Sequence, residues 1–153
     1  MERLALSPHP EGGFYRETWR SPARVATPRG DRSAMTLIHH LLPAGTFSAM
    51  HRVHADEVWQ HAGGDPLELH LVDPVGAHEV HRIGPGGLPH VVVPAGWWQG
   101  ARVLGTRFAL AGCTVAPGFD FADFEMARAE DLLRLRPDLP SVVRALVRPA
   151  GER

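Results

Sequence analysis

The sequence predicts an all-β protein, built as a sandwich or barrel of short strands, with helices only near its C-terminal end. Turn-forming residues recur from Pro8 to Gly118, among 16 glycines and 14 prolines in the whole chain. Short apolar or alternating runs lie between the turns, and residues 67–72 are the clearest because their leucines alternate with Glu68 and His70. Many short strands with frequent turns are typical of β-sandwiches and β-barrels.

The individual elements follow from the same patterns. Residues 20–32 are polar and contain two prolines, which predicts a loop. Residues 121–135 mix acidic and apolar side chains at helical spacing, so a helix with Asp120 as its N-cap is expected there. A short final helix, capped by Ser141, is expected at 141–147. The predicted strands cover residues 33–42, 58–61, 67–72, 78–83, 90–93, 99–103 and 107–115.

Composition limits the classes of function. The 153 residues fit one domain, with a barrel over about 6–118 and a helical segment over 119–153. A net charge of −1 provides no field for nucleic acid or an anionic membrane. No apolar run or signal-peptide pattern is visible, so a cytoplasmic location is expected. The chain has no lysine, which excludes Schiff-base chemistry and a Walker-type phosphate loop, and its single cysteine, Cys113, excludes an internal disulfide.

Residues 45–64, GTFSAMHRVHADEVWQHAGG, carry the strongest candidates for a site. Side chains two apart in a strand share a face, so His51 and Val53 should point the same way. A helix would instead align His54 with the later polar residues, but the glycines at 63 and 64 and the nearby β-formers favour a strand. Past a bend, three more side chains share a face: Glu57, Trp59 and His61. Imidazoles, a carboxylate and an indole among aliphatic residues are typical of a small-molecule pocket.

A second motif, PAGWWQ at residues 94–99, ends in Gln99. The two motifs together resemble the two signatures of the cupin superfamily, with Val53 and Gln99 at positions where histidines are expected. In cupins the second motif faces the first across the barrel. The resemblance therefore implies that His51, Glu57 and Gln99 converge on one cavity.

Longer segments extend this resemblance over most of the chain. LSPHPEGGFYRETWRS, HRVHADEVWQHAGGDPLEL, VVVPAGWWQGA and GCTVAPGFDFADFE are similar to the cupin family with a domain of unknown function, DUF985 (cupin_5). The similarity runs from Leu6 to Glu125. It implies a double-stranded β-helix, the jelly-roll cupin barrel, with an internal cavity and commonly a homodimeric state.

The resemblance implies little about a reaction. The barrel is similar in shape to deoxysugar-nucleotide epimerases, which act without metal through a histidine base and a tyrosine acid. Residues 10–17 resemble the N-terminal segment of those enzymes, where arginine and glutamate contact the ligand. We therefore expect a small polar metabolite, a sugar or nucleotide derivative, in the barrel, and proton transfer (isomerisation or epimerisation) if the protein is an enzyme. The residues expected to contact this ligand are Tyr15, Arg16, Glu17, Trp59, His61 and Gln99.

Within this hypothesis, His51 is the expected base or acid and Glu57 sets its charge. The alternative is a divalent metal cofactor held by His51, Glu57 and Gln99, as in a metal-dependent dioxygenase or isomerase. Such ions prefer two or three imidazoles plus a carboxylate, and this set contains one of each. A non-catalytic small-molecule binding protein is a third possibility, which the sequence does not separate from the first.

Overall fold

The computed structural model describes residues 2–149, which form thirteen strands and two short α-helices. The first strands are β1 (Ser7–Pro8), β2 (Phe14–Arg20), β3 (Arg24–Thr27), β4 (Gly30–Ser33), β5 (Thr36–Pro43), β6 (Phe47–Val53) and β7 (Asp56–Gly64). The remaining elements are β8 (Leu67–Val72), β9 (His78–Ile83), β10 (His90–Val93), β11 (Trp98–Val103), β12 (Phe108–Ala116), β13 (Phe124–Met126), α1 (Ala129–Leu135) and α2 (Ser141–Ala145).

Two antiparallel sheets form the barrel. The strand order is β1-β2-β5-β12-β7-β10 in the six-stranded sheet and β13-β6-β11-β8-β9 in the five-stranded sheet. Strands β3 and β4 form a separate hairpin. Non-consecutive neighbours in both sheets are typical of a jelly roll, in which the chain crosses repeatedly between sheets. The predicted all-β jelly-roll barrel is confirmed.

All seven predicted strands are present, with ends shifted by a few residues. Strands β1, β2 and β13 were not predicted, and β6 was predicted only in that His51 and Val53 were expected on one strand. The prediction of a loop over residues 20–32 was wrong, because this segment contains the β3-β4 hairpin. Strand β6 is almost entirely buried on both faces, so its sequence, FSAMHRV, does not alternate.

The C-terminal segment corrects the helix predicted at 121–135. Residues Phe121–Asp123 form a 3-10 turn, capped by Asp120 as expected, and β13 follows before α1 begins. Phe121 and Phe124 pack edge to face, with ring centroids 6.0 Å apart, and Phe124 pairs in register with Val53 of β6. These tertiary contacts outweigh the helical spacing of the sequence. No helix among residues 2–149 is long and apolar enough to cross a membrane.

The hydrophobic core fills one part of the space between the sheets. Inward side chains of β7 and β12, such as Trp59 and Cys113, meet Leu69 and Leu71 of β8 there. A second apolar layer lies on the outer face of the five-stranded sheet, where α1 and α2 pack over it and the Met50 amide donates to the Leu146 carbonyl (2.8 Å). The rest of the barrel interior is left for a cavity.

Candidate functional site

A cavity with a volume of about 360 Å³ lies beside the core, between the two sheets. Its walls combine apolar and aromatic side chains with ionisable groups, which is the usual composition of a small-molecule site. Strands β2, β5, β6, β7 and β12 supply most of the walls, and the turn before β2 and the segment after β12 supply the remainder. The ionisable side chains that line it are His9, Glu11, Tyr15, Glu17, Arg20, His51, Glu57 and Asp120.

Glu57 is held in the cavity wall by a relay of two hydrogen bonds. The indole Nε1–H of Trp59 donates to Gln99 Oε1 at 2.7 Å, and Gln99 Nε2 donates to Glu57 Oε2 at 2.7 Å. All three side chains are at least 94% buried, since their exposed fractions are 1%, 1% and 6%. An indole can only donate, so the amide oxygen of Gln99 must face Trp59 and its NH₂ must face Glu57. The relay therefore fixes the orientation of the amide and leaves Glu57 Oε1 without a hydrogen bond from any described residue.

Burial raises the pKa of Glu57 from 4.5 to about 7. The nearby His51 and the hydrogen bond from Gln99 act in the opposite direction, while the Glu11 carboxyl contributes to the increase. A carboxyl group with a pKa near 7 exchanges a proton readily at neutral pH. Glu57 therefore combines a fixed position, a free oxygen and a pKa suited to proton transfer.

Replacing Gln99 should raise the pKa of Glu57 further. The Gln99 amide favours the ionised carboxylate, and a hydrogen bond to a charged group contributes about 1.5 to 3 kcal/mol, which corresponds to a change of about 1 to 2 in pKa. We therefore expect Gln99→Leu to increase the pKa of Glu57 by about that amount, measured by ¹³C NMR titration of the carboxyl carbon. Glu17→Gln is the control, since it changes a cavity carboxylate without touching the hydrogen bond between Gln99 and Glu57. An unchanged pKa in Gln99→Leu would contradict the relay.

Glu11 lies at the centre of a second buried cluster, on the turn before β2. Its Oε1 accepts a hydrogen bond from Ser48 Oγ at 2.8 Å and lies 3.3 Å from His40 Nδ1, while its Oε2 lies 3.0 Å from His51 Nε2. The turn approaches β6 closely at Gly12, whose φ is +118° and where a Cβ atom would collide with the Phe47 carbonyl. Glycine at this position is what allows Glu11 to reach the two histidines.

The other ring nitrogens determine how protons are arranged in this cluster. His40 Nε2 donates to the Gly12 carbonyl (2.9 Å) and His51 Nδ1 donates to the Ala49 carbonyl (2.7 Å), because a carbonyl can only accept. The second nitrogen of each ring therefore faces the Glu11 carboxyl. Burial raises the pKa of Glu11 and lowers that of His51, and both directions favour a neutral pair in which Glu11 donates its proton to His51 Nε2.

His9 and Tyr15 form an aromatic corner of the cavity. Their rings meet edge to face with centroids 4.5 Å apart. His9 Nδ1 accepts a hydrogen bond from the Glu11 backbone N–H at 3.2 Å, and burial lowers the pKa of His9 to about 3. This histidine is therefore neutral at physiological pH and contributes a wall rather than a charge.

The sequence-based site predictions divide into three groups. His51, Glu57, Tyr15 and Glu17 line the cavity. Gln99 and Trp59 lie behind Glu57 and do not line the cavity: Gln99 donates to the Glu57 carboxylate, and Trp59 donates to Gln99. Arg16 and His61 lie elsewhere, which corrects two of the expected ligand contacts.

The positions of these two residues have simple causes. The Arg16 side chain is exposed and donates to the Leu4 carbonyl, because its neighbours Tyr15 and Glu17 take the cavity-facing positions. His61 shares the inward face of β7 with Glu57, as predicted, but it lies at the end of the strand beside Asp65, whose carbonyl is 3.3 Å from Nε2.

The side chains do not fit a resident metal at His51, Glu57 and Gln99. Both ring nitrogens of His51 face protein groups, and Gln99 directs its NH₂ rather than its oxygen toward Glu57. An NH₂ group has no lone pair for a cation. Among residues 2–149, no group of three or more histidine, cysteine, aspartate or glutamate side chains has a geometry that could hold a metal ion.

Sequence reasoning missed the cluster around Glu11. Glu11 and His40 come from segments far from the two motifs, and neither belongs to a recognisable ligand spacing. Two signals were available. The two glycines that follow Glu11 indicate an unusual turn, and His40 lies on the buried face of an apolar strand, where an imidazole needs a polar partner.

Comparisons with known proteins agree with this architecture. The family model described as "Cupin superfamily (DUF985)", Cupin_5, matches residues 1–127. No curated protein matches the chain in sequence.

Two solved structures resemble the chain along nearly its whole length. A hypothetical protein from Leishmania major is 33% identical with a TM-score of 0.88, and the match covers 97% of this chain and 96% of that chain. A protein from Shewanella oneidensis is 37% identical with a TM-score of 0.87, covering 97% and 94%. A cupin 2 conserved barrel domain protein from Rhodopseudomonas palustris is 15% identical, with a TM-score of 0.67 over 95% and 90% of the two chains, and shows the likeness in fold alone.

Proposed function

This chain belongs to the DUF985 family of the cupin superfamily, and we propose that it binds a small polar metabolite in the barrel cavity and transfers a proton on it through Glu57. The observation that carries this proposal is the state of Glu57. Its carboxyl group is buried, has a pKa of about 7, and is anchored through Oε2 by Gln99. Its Oε1 is free to meet a ligand in the cavity that Glu57 lines.

A carboxylate in this position can act as a general base without a metal. It takes a proton from a carbon atom next to a carbonyl group of the ligand, and the electron pair of the broken C–H bond moves toward the carbonyl oxygen. Glu57 then returns the proton to the same or a neighbouring carbon, which completes an epimerisation or isomerisation with no net oxidation. The Tyr15 hydroxyl, in the same cavity, is a suitable donor to the ligand oxygen.

His51 takes a different part from the one expected from the sequence. Its Nδ1 donates to Ala49 and its Nε2 faces Glu11, so neither nitrogen is free for a ligand. Glu11, rather than Glu57, is the carboxyl group in contact with His51. His51 and Glu11 therefore act as positioning residues, which shape the wall beside Glu57 and set the electrostatic field at its carboxyl group.

A two-stage experiment tests the proposal. The purified chain is screened by thermal shift against monosaccharides, amino sugars, sugar phosphates and nucleosides, and each compound that raises the melting temperature is incubated with the protein in D₂O. We expect ¹H NMR to record the loss of a carbon-bound proton signal next to the carbonyl. Glu57→Gln should lower this exchange rate by about a hundred-fold or more, in the range of general acid–base contributions, and should change the apparent affinity far less.

Arg16→Gln is the matched control, because Arg16 lies on the same strand but its exposed side chain points away from the cavity and donates to the Leu4 carbonyl. This variant should keep the wild-type exchange rate. Exchange that persists in Glu57→Gln would refute the catalytic assignment of Glu57, and a panel with no binder would refute the proposal as a whole.

A non-catalytic binding protein is the second candidate function. The engagement of both His51 nitrogens favours it, since only Glu57 is then left as a free acid or base with a pKa near neutrality. Saturable binding of a panel compound without any proton exchange would support this candidate over the first.

A homodimer also remains a proposal, implied by the family resemblance. Several apolar side chains are exposed on the outer face of the six-stranded sheet, where a second copy would cover them. Trp19 is 53% exposed, Val92 is 51% exposed and Phe108 is 39% exposed. Light scattering of the purified chain measures its mass in solution. A cytoplasmic location remains a prediction.

A further inference from the structure

The described walls of the cavity hold more carboxyl groups than guanidinium groups. Four carboxyl groups line it, whereas Arg20 is the one guanidinium in its described walls. The four are Glu11, Glu17, Glu57 and Asp120.

Arg20 is already committed to other partners. Its Nε and Nη2 each donate to a Glu17 carboxylate oxygen at 2.8 Å, and Nη2 also donates to the Phe119 carbonyl at 3.1 Å. This fork-to-fork pair neutralises the guanidinium at the cavity wall. Glu17 therefore occupies the place that the phosphate or carboxylate group of a ligand would take.

The imidazoles do not supply a positive charge to replace it. The pKa of His9 is lowered to about 3 by burial, and Nε2 of His51 faces the Glu11 carboxyl at 3.0 Å. The chain contains no lysine, and the cavity is not placed at the N-terminus of a long helix, the usual alternative for holding a phosphate. A phosphorylated ligand would lie among carboxyl groups without any compensating contact.

The apolar walls indicate the rest of the ligand. Tyr15, Phe119 and Phe121 present aromatic surface, and the rings of the two phenylalanines meet edge to face with centroids 4.9 Å apart. Aromatic faces next to carboxylates favour the C–H faces of a sugar ring or a protonated amine. The volume of about 360 Å³ lies near the lower end of the range of about 300 to 1,000 Å³ for small-molecule sites.

We propose that the ligand is a monosaccharide-sized, hydroxylated compound that is neutral or carries an amine, and that Glu17 excludes phosphorylated compounds by occupying Arg20. This inference rests on the proposed function, since it concerns the same cavity. It narrows the sugar or nucleotide derivative expected from the family resemblance to compounds without a phosphate group.

The single tyrosine of the chain provides a direct test. Because Tyr15 lines the cavity and is the only tyrosine, protein labelled with 3-fluorotyrosine carries one ¹⁹F signal, and it reports on the cavity. This signal is followed while glucosamine, glucose or glucose 6-phosphate is added at neutral pH and constant ionic strength. The three probes share one ring and differ in charge.

We expect glucose and glucosamine to shift the signal saturably, with glucose 6-phosphate binding at least about ten-fold more weakly than glucose, a difference typical of one uncompensated charge contact. Glu17→Gln should then increase the affinity for glucose 6-phosphate several-fold relative to the affinity for glucose, because it frees Arg20. If Glu17 had only a structural role, Glu17→Gln would change the affinities for glucose and for glucose 6-phosphate to the same extent.

Two results would overturn the inference. Glucose 6-phosphate binding as tightly as glucose to the wild type would contradict the exclusion of phosphate while leaving Glu57 and the proposed proton transfer intact. A signal that responds to none of the three probes would contradict the monosaccharide class. The proposed function is tested separately by the thermal-shift panel. It fails if no compound of that panel binds, whatever the charge of the compound.

Discussion

Glu57→Gln should remove a large part of the pH dependence of stability. The pKa of Glu57 is about 7 in the folded protein because of burial, against an ordinary value of 4.5. Between these values the unfolded chain loses the Glu57 proton while the folded protein keeps it. The unfolded state then binds fewer protons than the folded state, so the wild-type free energy of unfolding falls as the pH rises from 4.5 through 7.

The neutral amide of Glu57→Gln does not titrate. Its stability relative to the wild type should therefore increase by about 3 kcal/mol across this pH interval, at 1.36 kcal/mol for each pKa unit. Chemical denaturation at a series of pH values measures the difference. A stability difference that stays constant between acidic and neutral pH would refute the raised pKa of Glu57.

Asp123→Asn should change the pH dependence of stability in the opposite direction. The hydrogen bond from Arg32, together with Arg29, lowers the pKa of Asp123 from 3.8 to about 2. Its carboxylate therefore stabilises the fold above pH 3.8, and this contribution is lost as the pH falls toward 2. The advantage of wild type over Asp123→Asn should thus shrink in acid, where the stability of Glu57→Gln relative to wild type is lowest. Chemical denaturation at a series of pH values measures both differences.

Glu11→Ala should destabilise the protein by about 3 kcal/mol or more, because each buried polar group left without a partner costs about 1 to 3 kcal/mol. The substitution removes the acceptor of Ser48 Oγ and the carboxyl group that faces His40 and His51. These groups have at most 1% exposure, so water cannot replace the lost contacts. The free energy of unfolding, from urea or guanidinium titration, measures the effect.

Two further variants make this result interpretable. Glu11→Gln keeps an acceptor for Ser48 and an NH₂ donor for His51 Nε2, so it should cost far less if the neutral pair is correct. Glu17→Ala removes an exposed carboxylate of the same cavity, where the expected cost is below about 1 kcal/mol. A cost for Glu11→Gln as large as that for Glu11→Ala would indicate a charged Glu11–His51 pair instead.

Much of the fold follows from the sequence because most strands have one polar and one apolar face. Residues 67–72 are the clearest case, and β8 has the same bounds. The pattern fails where burial is not one-sided. The inner face of strand β6 forms part of the cavity wall and contacts Glu11. Its outer face is covered by the C-terminal segment, whose Leu146 carbonyl accepts a hydrogen bond from the Met50 amide. The helix expected at 121–135 begins only at Ala129, because Phe124 lies on β13 and packs against Phe119 instead.

The candidate site was predicted in part. Motif spacing identified His51, Glu57 and Gln99, because residues fixed to facing strands of a known barrel converge predictably. The roles within the set were not predictable in the same way. Trp59 sets the orientation of Gln99, and His51 faces Glu11. Both arrangements depend on hydrogen-bond donors and acceptors that are brought together from separate parts of the chain.

The Trp59–Gln99 relay also bears on how readily this barrel could change its chemistry during evolution. Histidines at positions 53 and 99 would supply the imidazoles that metal-binding cupins have, yet the imidazole at position 99 would not be free to bind a metal. The indole N–H that now meets Gln99 Oε1 at 2.7 Å would donate to the imidazole placed there and occupy its lone pair. A third change, at Trp59, is needed to release it. Because of this buried tryptophan, restoring the two histidines would not be sufficient to turn the cavity into a metal site.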